Sequence, residues 1–307
     1  MNVSLHQLRA FEAVVRFGSQ TKAADELGLR PATVSTQVAD LERFLGLDLF
    51  ERIQGRLRPT EAGQELWEYA HEVVAAANDG VVAMDEWAGR GPRELRIVAD
   101  STVGVYVVPR LLGALRSRHP EMRVAEEILN RTGVGTRLLA GEADLAIMGQ
   151  PPESDRLVVL PFLGNQLAVI ASPHHELAGA GQVPLARLAD ELFVLREAGS
   201  GTRAALTALF ASHQLSPRVA LELGHNGAVK QSVAAGLGLG VMSTVAVVRE
   251  IRFGRLVVID AEHFPLQRHW YLVHLRQRRL PSSAEAFCRF AQEWAQEAYP
   301  AQARTGS

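Results

Sequence analysis

Residues 19–44, SQTKAADELGLRPATVSTQVADLERF, narrow the choice of fold more than any other stretch, because two short amphipathic helical patterns flank a tight bend. Thr21 stands where the first helix would take its N-cap, Lys22 to Leu27 follow in helix-forming order, and Gly28 supplies the left-handed residue that ends such a helix. A second helix is expected from Pro31, whose fixed φ suits a first turn, with Val34, Val38, Leu41 and Leu45 forming one buried face. The opposite face carries Ala32, Thr33, Ser35, Thr36, Gln37 and Arg43, groups short or polar enough to let a helix approach base edges and phosphates. This is a helix-turn-helix pattern with its second helix in the major groove, and Thr21, Lys22 and Arg30 belong to the same expected DNA face. The alternative is an ordinary helical hairpin packed by Ala23, Ala24 and Leu27.

The flanks support the first option. An opening helix is expected to bury Leu5, Leu8, Phe11 and Val15, with Arg9 and Arg16 outside. After Leu45, the run GLDLFERIQGRLRPTEAG offers Leu47, Leu49 and Phe50 to a core, then Arg52, Arg56 and Arg58 as the tip of a wing. Residues 1–60 hold eight basic against seven acidic residues, and the whole chain has a net charge of -2, so any surface for a polyanion must be local. Three arginines within seven positions provide that clustering, unless the segment is only a solvated turn.

From Thr60 to about Ala88 one long helix is expected, with Glu61 and Glu65 near its positive end. Leu66, Ala70, Val73, Ala77, Gly80, Met84 and Trp87 alternate at steps of three and four, the seam of a coiled coil between two copies; packing on its own domain is the other option. GRGPR, residues 89–93, then reads as a hinge. The expected order is therefore a DNA-binding domain at 1–60, a linker and dimerisation helix with hinge at 61–92, and an effector domain at 93–300.

Chain length alone, 307 residues, implies more than one domain. Beyond the hinge, strands and helices alternate: strands are expected at 94–99, 122–129, 143–148, 157–162, 166–171, 192–195, 219–223, around Val241 and at 268–275, and a closing helix at 282–297. Such alternation gives a largely parallel sheet covered by helices, with sites at the carboxyl ends of strands. Two lobes are expected, one from about 93–163 and 268–300 and the other from about 164–267, joined by crossings near 163–165 and 265–267 that frame a cleft.

Polar clusters at the strand ends point to an anion in that cleft. Ser101 and Thr102 follow the first strand, Asn130, Thr132 and Thr136 the second, and Gln150 the third. In the other lobe REAGSGTR leads from a strand into a helix, so that Ser200, Thr202, Arg203 and successive backbone N–H groups can face a carboxylate or phosphate. Asn226 and Lys230 repeat the theme at the next helix, although Asn226 serves equally well as a plain cap.

Enzyme chemistry is poorly served. The sequence has no GxSxG elbow, P-loop or complete dinucleotide-binding fingerprint, and no nucleophile with its base. An α/β enzyme with a DNA-binding appendage is thus disfavoured, and no catalytic residue is expected. Cys288 is the single cysteine, which excludes an internal disulfide and a cysteine-cluster zinc site and fits a cytoplasmic protein. His174 and His175 lack a third ligand at usable spacing, so no metal is expected. Residues 1–18 hold His6, Arg9, Glu12 and Arg16, which interrupt any signal-peptide core and disfavour an exported solute-binding module. Residues 232–248, the least polar stretch, are broken by glycines and suit a buried helix, turn and strand rather than a membrane span.

LHQLRAFEAVVRFGSQTKAADELGLRPATVSTQVADLERFLGLDLFER, with RPTEAG opening the long helix, resembles the LysR-type transcriptional regulators. The resemblance departs at Gln20, where that family usually has an aromatic or aliphatic residue, and at Arg30-Pro31-Ala32, differences that bear on operator sequence. DLAIMGQPP, REAGSGTR, GHNGAVKQSVAAGLGLGVMS and HWYLVH are similar to the Calvin-cycle (carbon dioxide fixation) operon regulators, with a weaker similarity to sulfur and cysteine assimilation regulators. The resemblance implies a winged helix-turn-helix, a long α linker helix and a two-lobed α/β effector domain like that of periplasmic binding proteins. It also implies a homodimer through the linker helices, usually a tetramer, on double-stranded promoter DNA, with recruitment of RNA polymerase altered by a small effector. No cofactor is implied beyond a non-covalent anionic metabolite, such as a sugar phosphate, phosphoglycolate or NADPH.

Overall fold

The computed structural model describes residues 3–53, 56–88, 94–277 and 280–299. The chain divides into two compact units, Met1–Gly91 and Pro92–Ser307. The hinge expected at 89–93 lies outside the described residues.

In the first unit, α1 (Leu5–Phe17) starts with a capping box in which Ser4 Oγ accepts the Gln7 N–H and the Gln7 side chain accepts the Ser4 N–H. The next helix, α2 (Gln20–Leu27), is capped by Ser19, whose side chain accepts the Lys22 N–H. Thr21 is therefore not the cap: Ser19 has the extended backbone a cap needs, at φ -154° and ψ 125°, whereas Thr21 already lies inside the helix. Gly28, at φ 65°, closes α2, and α3 (Pro31–Leu45) follows with Pro31 in its first turn. Val34, Val38 and Leu41 are buried as expected.

The buried face of α1 differs from the expected stripe. Ala10, Phe11, Ala13 and Val14 are buried, while Leu5, Leu8 and Val15 are half-buried. The small Ala10 and Ala13 let α1 pack closely on Ala23 and Ala24 of α2, a demand that the larger side chains cannot meet. The antiparallel hairpin β1 (Phe50–Ile53) and β2 (Arg56–Pro59) forms the wing. Thr60 caps the long helix α4 (Glu61–Trp87) by accepting the Gly63 N–H at 3.0 Å. Of the expected seam, Ala70 and the half-buried Leu66 turn into the unit's own core with Phe11, Leu41 and Leu49. Farther along α4, Val73, Met84 and Trp87 face outward, beside Tyr69 and Val81; Trp87 is 89% exposed.

The second unit is built on one seven-stranded sheet in the order β10-β6-β11-β5-β3-β4, with β9 also paired to β6. Here β3 is Leu95–Asp100, β4 Val124–Leu129, β5 Leu145–Met148, β6 Leu157–Ala171, β9 Gly240–Ser243, β10 Val257–Ile259 and β11 Leu266–Leu275. Strands β3, β4 and β5 are parallel. The two strands expected at 157–162 and 166–171 are one continuous fifteen-residue strand, because Gly164 and Asn165 pair with His269 and Arg268 instead of turning. A separate parallel pair, β7 (Leu192–Arg196) and β8 (Arg218–Leu223), completes the second lobe.

Helices cover the sheet: α5 (Ser101–Tyr106), α6 (Val108–Arg118), α7 (Arg131–Leu139) and α12 (Ser282–Ala298) in lobe I, and α8 (Leu185–Ala189), α9 (Gly201–Ser212), α10 (Asn226–Ala234) and α11 (Thr244–Arg252) in lobe II. Each lobe has apolar clusters of its own: Leu111, Phe287, Trp270 and Trp294 belong to one in lobe I, and Phe193, Leu206 and Phe210 to one in lobe II. Among the described residues no helix is long and apolar enough to cross a membrane.

Two helical glycines respond oppositely to the same change. A Cβ on Gly63 would lie 2.1 Å from the backbone oxygen of Leu49, so Gly63→Ala should lower stability by about 1–3 kcal/mol as overpacking does. Gly113, exposed in the middle of α6, has nothing within 4 Å of its Cβ position, and Gly113→Ala should raise stability by about 0.8–1 kcal/mol. Chemical denaturation of the two variants beside the parent checks both signs.

Candidate functional site

Between the lobes, strand ends and helix starts meet. Asp100 ends β3, Asn130 and Arg131 follow β4, Gly149 and Gln150 follow β5, and Arg196 ends β7. With Ser101, Thr102, Ser200, Gly201, Thr202, Asn165, Arg268 and Trp270 they enclose about 480 Å³ of atom-free space, the open mouth included. The amino ends of α5, α7 and α9 all border this space, so backbone N–H groups and the positive ends of the helices favour an anion.

Three arginines set the electrostatics. Arg131 Nε donates to the Gln150 carbonyl at 2.9 Å, and Arg268 Nη2 donates to Gln150 Oε1 at 3.4 Å, which leaves the rest of both guanidinium groups for a ligand. Burial and the neighbouring Arg131 hold the pKa of Arg268 below its ordinary value. Arg196 is spoken for: it donates to both carboxylate oxygens of Glu197, at 2.7 and 2.9 Å, to Asn226 Oδ1 and to Ser101 Oγ. Although burial opposes it, the bond from Arg196 keeps Glu197 below the usual carboxylate range. Facing these charges is the buried carboxylate of Asp100, whose Oδ2 accepts the Gly149 N–H at 2.7 Å while Oδ1 has no hydrogen-bond partner. Burial pushes Asp100 up to about 6, against the pull of Gly149 N–H and of Arg131, Arg268 and Arg196.

The cleft is bridged. Arg196 of lobe II reaches Ser101 of lobe I, Asn226 Nδ2 donates to Thr102 Oγ1 at 3.2 Å, and the Thr132 N–H donates to the Gly199 carbonyl at 3.4 Å. Gly199 has φ +91°, and a Cβ there would meet Thr132 Oγ1 at 3.0 Å, so this closeness needs glycine twice over.

Of the expected effector residues, Ser101, Thr102, Asn130, Gln150, Ser200 and Thr202 line the cleft. Four do not. Arg203 turns to an ion pair with Glu222, and Lys230 pairs with Glu250 at 2.6 Å, because each has an acid within reach on its own lobe. Asn226, by its side chain, and Thr132, by its main-chain N–H alone, take part in the bridge just described, and the cap of α10 is His225, not Asn226. Sequence reasoning missed Asp100, Arg131, Arg196, Asn165, Arg268 and Trp270. Extending the strand-end rule from hydroxyl and amide groups to charged ones would have found Asp100, Arg131 and Arg196; Arg268 becomes visible only through its pairing with Asn165 on β6. Among the described residues no group of three or more His, Cys, Asp or Glu could hold a metal ion.

In the first unit, Thr21, Lys22, Arg30, Ala32, Thr33, Thr36, Arg43, Arg52 and Arg58 are exposed, and Ser35 and Gln37 half-buried. Thr36 Oγ1 bonds back to the Ala32 carbonyl, and Arg43 pairs with Asp40. Thr21, Lys22, Arg52 and Arg58 line one groove between the start of α2 and the wing. The side chain of Arg56 lies outside the described residues.

Residues 5–64 match the model of the bacterial regulatory helix-turn-helix protein, lysR family, and residues 88–296 that of the LysR substrate binding domain. The chain belongs to the LysR family. It is a DNA-binding transcriptional regulator and not an enzyme. It is 41% identical over 290 residues to a RuBisCO operon transcriptional regulator of Allochromatium vinosum, covering 94% of this chain and 96% of that one. It is 37% identical over 286 residues to the HTH-type transcriptional activator CmpR of Synechocystis sp., covering 93% and 94%. Among solved structures, the Synechocystis CcmR regulatory domain in complex with 2-PG is 37% identical with a TM-score of 0.63, covering 66% of this chain and 97% of that one.

The buried carboxylate gives this LysR regulator a pH signature. With Asp100 raised from 3.8 to about 6, its folded state holds the proton more tightly than the unfolded chain. The stabilisation is full below the unfolded value and is lost as pH rises through the folded one, a difference of about 3 kcal/mol. Asp100→Asn should therefore be more stable than the parent at pH 8 by up to about that amount, with the gap closing toward pH 4. Urea midpoints in phosphate-free buffer at the two pH values measure it.

Proposed function

We propose that this LysR regulator controls carbon dioxide fixation genes and that its effector is a small phosphorylated anion of the class of 2-phosphoglycolate. The observation that carries the effector assignment is the pair Arg131 and Arg268, whose remaining donors meet the amino ends of α5, α7 and α9 in one cleft. The relatives that regulate RuBisCO operons, and the solved relative holding 2-PG, favour carbon fixation over sulfur or cysteine assimilation. Sugar phosphates and NADPH offer the same phosphoryl chemistry and belong to the same class of ligand.

On the DNA side, α3 enters the major groove with Ala32, Thr33, Ser35, Thr36 and Gln37, while Lys22, Arg30, Arg43 and the wing arginines Arg52, Arg56 and Arg58 hold phosphates. Two copies pair through the outward apolar side chains of α4, Val73, Met84 and Trp87 among them, and dimers join as tetramers on the promoter. RNA polymerase is the partner that reads the resulting complex. The effector acts by its different affinity for the bridged cleft and for one in which the bridging groups are exchanged.

Fluorescence anisotropy on the promoter of a carbon-fixation operon of the same organism, with and without 2-phosphoglycolate, separates the two halves of the proposal. Arg131→Ala with Arg268→Ala should weaken 2-phosphoglycolate binding at least about tenfold, as expected on losing charge-assisted bonds, while operator affinity is kept. Arg52→Ala with Arg58→Ala should do the reverse, lowering the slope of log affinity against log salt by about 2 for each protomer on the DNA. A full metabolite response in the first variant would overturn the assignment of the cleft, and an unchanged salt slope in the second that of the wing.

A further inference from the structure

A carboxylate is the wrong group to leave free in a site for anions. Asp100 is half-buried at the cleft, and its Oδ1, shut off from solvent, has no hydrogen-bond partner. The charged groups facing it are Arg131 from α7, Arg268 from β11 and Arg196 from β7, the last already matched by Glu197; its remaining neighbour is the Gly149 N–H at the end of β5. A ligand carrying two negative charges would draw on the same two arginines and would stand beside a second negative group in a poorly hydrated space. Like charges that close do not both persist when one of them can take a proton.

Resting on the reading of the cleft as an anion site, we infer that Asp100 takes up one proton from solvent when the effector binds, so that the cleft senses anion and proton together. The bond formed is O–H at Oδ1, while Oδ2 keeps its bond from the Gly149 N–H. Protonation removes the second negative charge from the cleft, and the arginines are left to the ligand. Because burial already places this carboxyl near 6, the proton is within reach at neutral pH. The regulator's response to a given metabolite concentration then rises as the cell interior acidifies.

The test is calorimetric titration of the full chain with 2-phosphoglycolate between about pH 7 and 9, where a phosphomonoester stays doubly ionised and arginine stays charged. Affinity of the parent should fall close to tenfold per pH unit. Asp100→Asn keeps an oxygen for the Gly149 N–H; its affinity should be flat over the same range and about a hundredfold tighter than the parent's at pH 8, two units above the carboxyl's value. Heats measured in buffers of different ionisation enthalpy should give close to one proton taken up per anion by the parent at pH 8, a readout that needs no variant. A flat affinity with no proton uptake in the parent, or a slope that survives in Asp100→Asn, overturns the inference alone. No binding of 2-phosphoglycolate by the parent at pH 7 overturns the anion reading and the inference with it.

Discussion

From Leu157 to Ala171 and from Leu266 to Leu275 the backbone belongs to both lobes at once, and the antiparallel ladder between these strands dictates where everything else can stand. Its far end pairs with β9 and β10 of lobe II, its near end with β5 of lobe I. A slip of one residue would turn Trp270 and Leu272 out of the core, so burial fixes the register, and register in turn places Arg268 opposite Asn165 at the floor of the cleft. The irregularity between Trp270 and Tyr271 falls where the ladder passes from cleft to lobe I. Movement of one lobe against the other must be absorbed by these two strands, because they carry the only two crossings of the chain between the lobes, and the hydrogen bonds that bridge the cleft are ones a ligand can replace.

The charge pattern follows from that frame. Parallel strands deliver their carboxyl ends, and hence the starts of α5, α7 and α9, to one rim. The partial positive charge there would be unfavourable for packing three arginines nearby if each lacked a partner; Arg196 is neutralised by Glu197, and Arg268 loses proton affinity through burial and Arg131. What remains is an excess of donors over acceptors inside the cleft, held by the fold. The DNA-facing unit reaches a similar excess by other means, with Lys22, Arg52 and Arg58 along an exposed groove where salt screens them.

Much of this architecture was legible in residue order. Helix starts and stops at Pro31, Gly28 and Thr60, the wing arginines and the alternation of strands and helices all depend on local chemistry, which a sequence displays. The misses have a common cause in tertiary contact. Ser19 outcompetes Thr21 as cap because of where the chain enters α2, and α1 turns its small residues inward because α2 must come close. Gly164 and Asn165 look like a break until their partners on β11 are known. In the cleft, hydroxyl and amide groups at strand ends were visible, but Arg203 and Lys230 could not be discounted before Glu222 and Glu250 were seen beside them, and Arg268 is brought in from residues far along the chain.

The central claim is that the cleft holds a phosphorylated anion on Arg131 and Arg268. A crystal structure of the full chain grown with saturating 2-phosphoglycolate tests it most directly. The phosphoryl group should lie between those two guanidinium groups, within hydrogen-bonding distance of both and beside the first residues of α7 and α9. Electron density for the ligand elsewhere on the molecule, with the cleft filled by solvent alone, would contradict it.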